Sequence, residues 1–196
     1  MAVVLVIVLA IALVIGVYLV MLYNNLVLVK HNVGKAWANI EVLLKQRHDE
    51  LPKLIETCKQ YMKFEQDTLE RVIEARSRVF NAAQSQDIEA LGRAEGALRM
   101  GLGNLFALAE AYPDLKANAS FQQLQSRISS LEDSIADRRE FYNESVNINN
   151  VRIAQVPDVV VARMFGFGPF KLLEFSAEET RDIDVKQLFQ STEAGS

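Results

Sequence analysis

Apolar residues are arranged in two different ways along the chain, and the change falls near Tyr23. Residues 1–22 contain no charged side chain and no Asn, Gln, Ser or Thr. A helix of this length spans about 33 Å, enough to cross a hydrocarbon core of about 30 Å. A cleaved secretory signal is the alternative, but the stretch has no basic residues at its start, and its apolar run is longer than the hydrophobic region of a signal peptide. We therefore predict a retained transmembrane anchor over residues 1–22.

Beyond Tyr23, apolar residues recur at steps of three and four, which is typical of helices that bury one stripe. The first of these positions are Leu26, Val29, Val33, Trp37, Ile40, Leu44, Leu51, Leu54, Ile55 and Cys58. Pro52 interrupts the pattern and removes a helical hydrogen bond to the carbonyl of His48. It marks either a kink or a new helix start that Asp49 would cap, and the sequence leaves both open.

Two further helices are predicted towards the C-terminus. Asp87 is a candidate cap for a helix over residues 88–112, and a loop follows at residues 115–118. A long helix then runs from about residue 120 to near Pro157, where it should pack against the membrane-proximal helix around residues 33–40. Four glycines weaken the first of these helices and also allow a neighbour to approach closely, namely Gly92, Gly96, Gly101 and Gly103.

The predicted fold class is therefore all-α. It comprises an N-terminal single transmembrane helix over residues 1–22, an antiparallel bundle of the four-helix type over residues 23–157, and a short tail over residues 158–196. The tail is first apolar and aromatic, then acidic. The only strand candidates are residues 159–161 or 170–175.

Charge bears on partners and on topology. The net charge of −4 and the lack of a basic stripe argue against a nucleic-acid partner. Lys30 and Lys35 follow the anchor, and no acidic residue occurs before Glu41. The positive-inside rule then places the N-terminus outside and the bundle in the cytoplasm.

Residue patterns that carry catalytic chemistry are missing from the sequence. His31 and His48 are the two histidines, and neither has the spacing of a di-iron or zinc-peptidase motif. The single cysteine, Cys58, lies on an apolar helical face and is interpreted as a small buried hydrophobe. The GFGPF stretch at residues 166–170 is interpreted as a turn. We expect no catalytic residue, no cofactor and no metal, and thus no enzyme.

Several short motifs follow one another in a distinctive order. They are YNNLV after the anchor, AW at residues 36–37, RHDELPKLIE at 47–56, EARS at 74–77, AYPDLKAN at 111–118, FYNESV at 141–146 and FGF at 165–167. This order strongly resembles the bacterial LemA family over nearly the whole chain. Glu50 and Lys53 are small departures, since the family more often has an aliphatic residue and Asn there.

The resemblance implies a single-pass membrane protein with an antiparallel helical bundle. It implies no established catalytic activity, and no catalytic residue is carried over because the family has no agreed site. Some LemA-like proteins contribute to building intracellular membrane compartments, of which the magnetosome proteins are one case. Others are encoded beside membrane-protein quality-control factors.

The pattern Tyr-Asn-x-x-Val occurs twice, at Tyr23-Asn24 and at Tyr142-Asn143. The first pair stands where the anchor leaves the bilayer, an interface that tyrosine prefers. The second begins a polar row continued by Asn147, Asn149, Asn150, Arg152 and Gln155. The repeat is either a coincidence between two helix faces or a polar seam, within the bundle or between copies, that fixes register.

The tail is too apolar to be free in solvent. Its apolar members are Met164, Phe165, Phe167, Phe170, Leu172, Leu173 and Phe175. They either cover the end of the bundle or form a patch for another subunit or the membrane surface. The candidate interaction residues are Tyr23, Asn24, Trp37, Tyr142, Asn143, Phe165, Phe167 and Phe170.

These features together predict a membrane-tethered helical scaffold without enzymatic activity, located in the bacterial inner membrane. Its expected partners are the lipid bilayer and further copies of the chain in a homo-oligomer, with a membrane protein as a further candidate. The alternative is an adaptor for a membrane protease or another quality-control partner of the cell envelope.

Overall fold

The computed structural model describes residues 1–174, which contain six α-helices and no strand. They are α1 (Ala2–Tyr61), α2 (Gln66–Gln84), α3 (Ile88–Ala109), α4 (Pro113–Lys116), α5 (Ala119–Arg152) and α6 (Asp158–Phe165). The all-α fold class is thereby confirmed. The first 20 residues of α1 are exposed on all sides, as expected for an anchor whose solvent is lipid.

The four long helices run alternately away from and towards the anchor. α1 packs along α5 and α2 packs along α3, and one apolar core extends from Val33 to Leu173. α2 and α3 are much shorter than α1 and α5, so their connecting turn at Gln86 lies at the level of Gly34 and Trp37. Nearer the anchor, the α1–α5 pair is covered by the C-terminal segment instead. The predicted packing of the last long helix against residues 33–40 is thus observed.

Pro52 lies inside α1, and the helix continues through it. The interpretation of Pro52 as a new helix start is therefore wrong, and Asp49 does not cap a helix. Proline has no N–H to offer the carbonyl four residues earlier, which is that of His48. Arg76 of α2 supplies the missing donor, since its Nε–H binds the His48 oxygen at 2.9 Å.

The chain reverses direction at residues 62–65, where the sequence shows no turn signal. This stretch reads MKFE, without Gly, Pro, Asn or Asp, and the apolar spacing continues across it. Met62 is fully buried and its N–H closes the last turn of α1 on the Cys58 carbonyl. Phe64, in contrast, is 93% exposed at this far end of the bundle.

Side-chain caps define the starts of α3 and α5. The predicted cap at Asp87 is confirmed, because its carboxylate accepts a hydrogen bond from the Ala90 N–H at 3.0 Å. Asn118 caps α5 by accepting from the Phe121 N–H at 3.1 Å, and its amide donates to the Tyr61 hydroxyl at 3.1 Å. The AYPDLKAN motif therefore joins the start of α5 to the end of α1.

Three boundaries and both candidate strands differ from those predicted. Pro113 takes the first position of the short helix α4, so the loop predicted at residues 115–118 is wrong in part. α3 ends at Ala109 and α5 ends at Arg152, each earlier than expected. The strand considered at residues 159–161 is helical in α6. Residues 170–174 form neither helix nor strand, and Phe175 lies outside the described residues.

The RHDE motif of α1 contacts all three other long helices within about one turn. Arg47 and Glu95 of α3 form a buried ion pair, with both side chains under 5% exposed. His48 contacts α2 as described above, and Glu50 pairs with Arg127 of α5 at 3.3 Å. Removing one partner of a buried ion pair leaves an uncompensated charge, so an alignment of the helices that separated Arg47 from Glu95 would be penalised.

Candidate interaction surfaces

Reactive side chains among residues 1–174 are few and shielded. No group of three His, Cys, Asp or Glu in that range could hold a metal ion. Cys58 is buried, and burial raises the pKa of its thiol to about 11, so the thiol stays protonated near neutral pH. The distinctive features of this part of the chain are instead contacts and surfaces at its membrane-proximal half.

The first feature is a set of asparagines on α5 that hold the C-terminal segment. Asn143 accepts a hydrogen bond from the Leu173 N–H at 2.8 Å and donates to the Leu173 carbonyl at 3.0 Å. Asn150 does the same with Phe170, at 2.9 Å for both bonds. Each amide therefore pairs with a backbone N–H and C=O as a neighbouring strand would. We call this arrangement the tail clasp.

The spacing of the two asparagines fits the spacing of the two residues they hold. Seven helical residues separate Asn143 from Asn150, a rise of about 10.5 Å. Three residues of extended chain separate Phe170 from Leu173, which is about 10 Å. Because the later asparagine holds the earlier residue, the segment runs antiparallel to α5.

Other contacts fix the same segment between α5 and α3. The Tyr142 hydroxyl donates to the Lys171 carbonyl at 3.1 Å, and the Asn149 amide donates to the Gly168 carbonyl at 3.3 Å. The Lys171 ammonium pairs with Glu89 at the start of α3, 2.7 Å away. Leu173 is fully buried in the main core, so the segment is an integral part of the bundle.

A cavity of about 470 Å³ lies beneath this segment. Trp37 and Tyr142 meet edge to face on its wall, with ring centroids 5.7 Å apart. Burial raises the pKa of Tyr142, while the indole Nε1 of Trp37 is buried without a hydrogen-bond partner among residues 1–174. Lys30, Phe170 and Lys171 complete the rim, so cationic and aromatic groups surround the opening.

The second feature is the junction between the anchor and the bundle. Leu22 and Leu26 of α1 are buried by Val161 and Ala162 of α6, with Ile153 and Phe167 at the edge. The Tyr23 ring contacts two other rings, tilted against Phe165 with centroids 4.8 Å apart and edge to face with Phe167 at 5.8 Å. We call this cluster the anchor junction.

A left-handed residue directs the chain from α6 back to the anchor junction. Gly166 has φ +69°, a conformation that glycine adopts without strain. The Phe167 N–H then bonds to the Ala162 carbonyl at 2.9 Å, which closes the end of α6. This places the Phe167 ring beside Tyr23 and under the Lys30 ammonium, 5.8 Å from the ring centroid.

The third feature is an open groove between α1 and α5, of about 450 Å³, which we call the outer groove. Its lining residues are Val29, Asn32, Lys35 and Asn39 of α1 and Arg138, Phe141, Glu144, Ser145 and Ile148 of α5. Phe141 and Ile148, seven residues apart on one helix face, are each 50% exposed. Apolar side chains are thus left uncovered along the outside of the bundle.

The candidate residues from the sequence fall into these features without forming one site. Trp37, Tyr142, Asn143 and Phe170 belong to the tail clasp and its cavity, whereas Tyr23, Phe165 and Phe167 form the anchor junction. Asn24 is exposed on α1. Tyr23 and the Tyr142-Asn143 pair therefore have separate partners, and a role of any of these residues in binding another molecule stays a prediction.

Sequence reasoning missed what the asparagines bind. It placed Asn149 and Asn150 in the polar row but did not connect them with the tail, and it missed Glu89 and Lys171 entirely. The available signal was the seven-residue spacing of Asn143 and Asn150 on a helix that precedes an apolar tail. That spacing fits a helix face but does not by itself indicate a backbone partner.

An exposed apolar helix that continues into an antiparallel four-helix bundle defines a class of membrane-associated helical proteins. The family model for the LemA family matches residues 36–187, so the chain belongs to this family. The motif-based resemblance is thereby confirmed.

Three relatives show how far the similarity extends. The chain is 23% identical to magnetosome protein MamQ 2 of Paramagnetospirillum magneticum, over 88% of this chain and 72% of the relative. The same figures apply to magnetosome protein MamQ of Magnetospirillum gryphiswaldense. Protein LemA of Metamycoplasma hominis is 27% identical over 84% of this chain and 74% of its own length.

Proposed function

We propose that this LemA family member is a membrane-tethered helical scaffold without enzymatic activity, which self-associates and organises membrane or membrane-protein complexes. Its first helix contains a stretch long and apolar enough to cross a membrane, and none of that stretch is buried within the protein. The magnetosome proteins among its relatives support a role at membranes.

The observation that carries self-association is the outer groove. Monomeric soluble proteins rarely expose contiguous apolar patches larger than a few hundred Å², and patches of that size mark interaction sites. Here Phe141 and Ile148 lie at a spacing of seven residues, which is also the repeat of helices that pack side by side. A second copy of the chain, tethered in the same membrane plane, would present the same face.

The charges around the groove suit a symmetric contact. Lys35 and Arg138 are basic and Glu144 is acidic, and all three line the groove. In a two-fold arrangement the same patch from two copies meets itself, so Glu144 of one copy can be placed opposite a basic residue of the other. The groove thus offers charges of both signs beside exposed apolar side chains.

The test is the mass of the full chain extracted gently from membranes, measured by mass photometry over a range of concentrations. We expect a discrete oligomer for the natural sequence. A Phe141→Asp, Ile148→Asp double variant should shift it to monomer, because burying a charge without a partner is costly. Phe64→Asp is the control, since Phe64 is also an exposed apolar residue but lies at the far end of the bundle.

Two results would count against the scaffold. The first is a monomer at every concentration, and the second is an oligomer that the groove variant leaves intact. A chain ending at Pro157 separates the contribution of the tail, because it keeps the groove but lacks α6 and the clasped segment. Loss of the oligomer in that chain alone would move the contact from the groove to the tail.

The second candidate function is an adaptor for a membrane protease or another envelope partner. Phe64 favours it, because an aromatic ring 93% exposed at the tip farthest from the anchor could contact another protein. This function predicts a monomer that co-purifies with a membrane protein. Phe64→Asp should then abolish co-purification, while the double groove variant should not.

The proposed topology places the bundle in the cytoplasm. It can be tested with Phe64→Cys and a membrane-impermeant maleimide, because the natural Cys58 is buried and remains a protonated thiol. We expect labelling only after the cells are opened. Labelling of intact cells would place the bundle outside.

A further inference from the structure

α6 has apolar residues on two sides, and the protein covers only one of them. Val161 and Ala162 are buried against the anchor helix. Val160 and Met164, one turn apart on the other side, are 56% and 71% exposed. Val156, in the turn that precedes α6, is 83% exposed. Three large apolar side chains therefore lie together without a covering element among residues 1–174.

The contacts of α6 place it at the level where the anchor would leave the bilayer. Twenty helical residues span about 30 Å, so an anchor that starts near residue 2 reaches the far boundary near Leu22 and Tyr23. α6 packs on Leu22, and the Phe165 ring lies 4.8 Å from that of Tyr23. α5 runs towards the anchor and ends beside the same cluster through Ile153. The turn after α5 and the helix α6 thus form the membrane-facing end of the bundle.

The charge of this end differs from that of the whole chain. Glu89, which pairs with Lys171, and Glu144 lie beside this end, but the ranges that form it, residues 22–40 and 145–171, contain five basic side chains and one acidic side chain, whereas the chain as a whole has a net charge of −4. The acidic member, Asp158, is buried and lies 3.3 Å from Arg152. A basic surface attracts anionic lipid headgroups over a distance of about a Debye length.

We propose that α6 and the turn before it lie on the bilayer surface, with Val156, Val160 and Met164 at the boundary between headgroups and acyl chains. The occupant of this patch is lipid, because the patch adjoins the membrane span and the residues around it are basic. The inference rests on the proposed anchoring of α1. A second contact beside the span would hold the bundle at a fixed tilt, which a single helix cannot do.

The experiment measures the depth of single tryptophans in vesicles of phosphatidylcholine and phosphatidylglycerol, with lipids brominated either near the headgroup or deep in the acyl chain. Trp37 is the only natural tryptophan, so Trp37→Phe is introduced in every protein. Met164→Trp then tests α6. Ile11→Trp, near the middle of the span, reports anchoring. Phe64→Trp, at an exposed apolar position at the far end of the bundle, is the control.

We expect lipid brominated near the headgroup to quench the tryptophan fluorescence of Met164→Trp. Lipid brominated deep in the acyl chain should quench that of Ile11→Trp, and neither lipid should quench that of Phe64→Trp. Quenching of Ile11→Trp with no quenching of Met164→Trp would overturn the inference and leave the anchor intact. If the fluorescence of Met164→Trp is protected from aqueous iodide but is not quenched by either brominated lipid, another protein covers the patch, and the inference that α6 lies on the bilayer is overturned. Absence of quenching at Ile11→Trp would instead contradict the anchor, and the inference with it. Circular dichroism of each variant confirms that the helices are retained.

Discussion

Arg76 of α2 donates its Nε hydrogen to the carbonyl oxygen of His48, which is the carbonyl that Pro52 leaves without its helical partner. Two motifs separated by about 20 residues in the sequence, RHDELP and EARS, are therefore one structural unit. A buried or half-buried carbonyl without a donor costs about 1–3 kcal/mol, and Arg76 removes that cost.

This relationship predicts a coupling between positions 52 and 76. Arg76→Ala should lower the free energy of unfolding by about 1–3 kcal/mol in the natural chain. The same substitution should cost less beside Pro52→Ala, because the new N–H can bind the His48 carbonyl. Denaturation of the four proteins in detergent measures the coupling, and costs that add within about 0.5 kcal/mol would contradict it.

A control for charge loss is available on the same helix. Arg78 forms an exposed i,i+4 pair with Glu74. Exposed pairs of this kind contribute about 0–1 kcal/mol. Arg78→Ala should therefore change the free energy of unfolding little, both in the natural chain and beside Pro52→Ala.

The ring of His48 gives the second prediction, which concerns pH. The ring stacks on Phe80 at 4.3 Å, and its Nε2 lies 2.7 Å from the Arg76 guanidinium, which can only donate. Burial first, and then the charge of Arg76, lower the pKa of His48 below its usual value, while Asp49 opposes them. The folded protein therefore holds this ring neutral as an acceptor.

The sign follows from proton uptake on unfolding. A free histidine has a pKa of about 6.5, so below that pH the unfolded chain binds a proton that the folded chain resists. The contribution of His48 to stability is thus fully present above about pH 6.5 and is lost as the pH falls towards the folded pKa. We expect melting temperatures between pH 5 and 7.5 to fall less steeply on acidification in His48→Gln than in the natural protein. His31→Gln, at an exposed position on α1, should keep the natural slope.

Sequence patterns predicted the helices well where burial and capping agree. The stripe from Val33 to Cys58 is the core face of α1, and Asp87 caps α3. They failed at residues 62–65, because the turn there is made by packing of Met62 and not by turn-forming residues. They also failed at Pro52, since the compensating donor comes from a distant helix.

At the candidate surfaces, too, local sequence patterns did not predict contacts between distant segments of the chain. Periodicity placed Tyr142 and Asn143 on one helix and indicated that their polar groups need partners. It could not identify those partners, because the C-terminal segment that supplies them has no periodicity of its own. Long-range hydrogen bonds from side chain to backbone depend on the tertiary path of the chain, and no local pattern encodes that path.

The tail clasp gives the third prediction. Asn150→Asp preserves the shape but removes the amide donor to the Phe170 carbonyl and places a negative charge beside it. Loss of one hydrogen bond worth about 1.4 kcal/mol corresponds to about tenfold more frequent opening. We expect hydrogen exchange at the backbone amides of Phe170 and Leu173 to accelerate by about that factor.

Asn147→Asp is the matched control for the clasp. It makes the same change of charge on the same helix, but Asn147 is exposed to solvent. In Asn147→Asp, the hydrogen-exchange rates of the backbone amides of Phe170 and Leu173 should equal those of the natural protein. Equal rates in Asn150→Asp and Asn147→Asp would show that the clasp does not hold the segment.

The glycines of α3 give the last prediction, because two of them have opposite surroundings. A Cβ on Gly101 would lie 3.3 Å from Cγ2 of Val72, whose side chain is fully buried on α2. A Cβ on Gly103 would meet nothing within 4 Å.

Replacing a helical glycine by alanine raises the free energy of unfolding by about 0.5–1 kcal/mol where space allows. Gly103→Ala should therefore raise the free energy of unfolding by about that amount. Gly101→Ala should gain less or be destabilising, because stiff Val72 must shift. Thermal denaturation of the two variants in the same detergent makes the comparison, and an equal gain in both would show that α2 and α3 are not in close contact at Gly101.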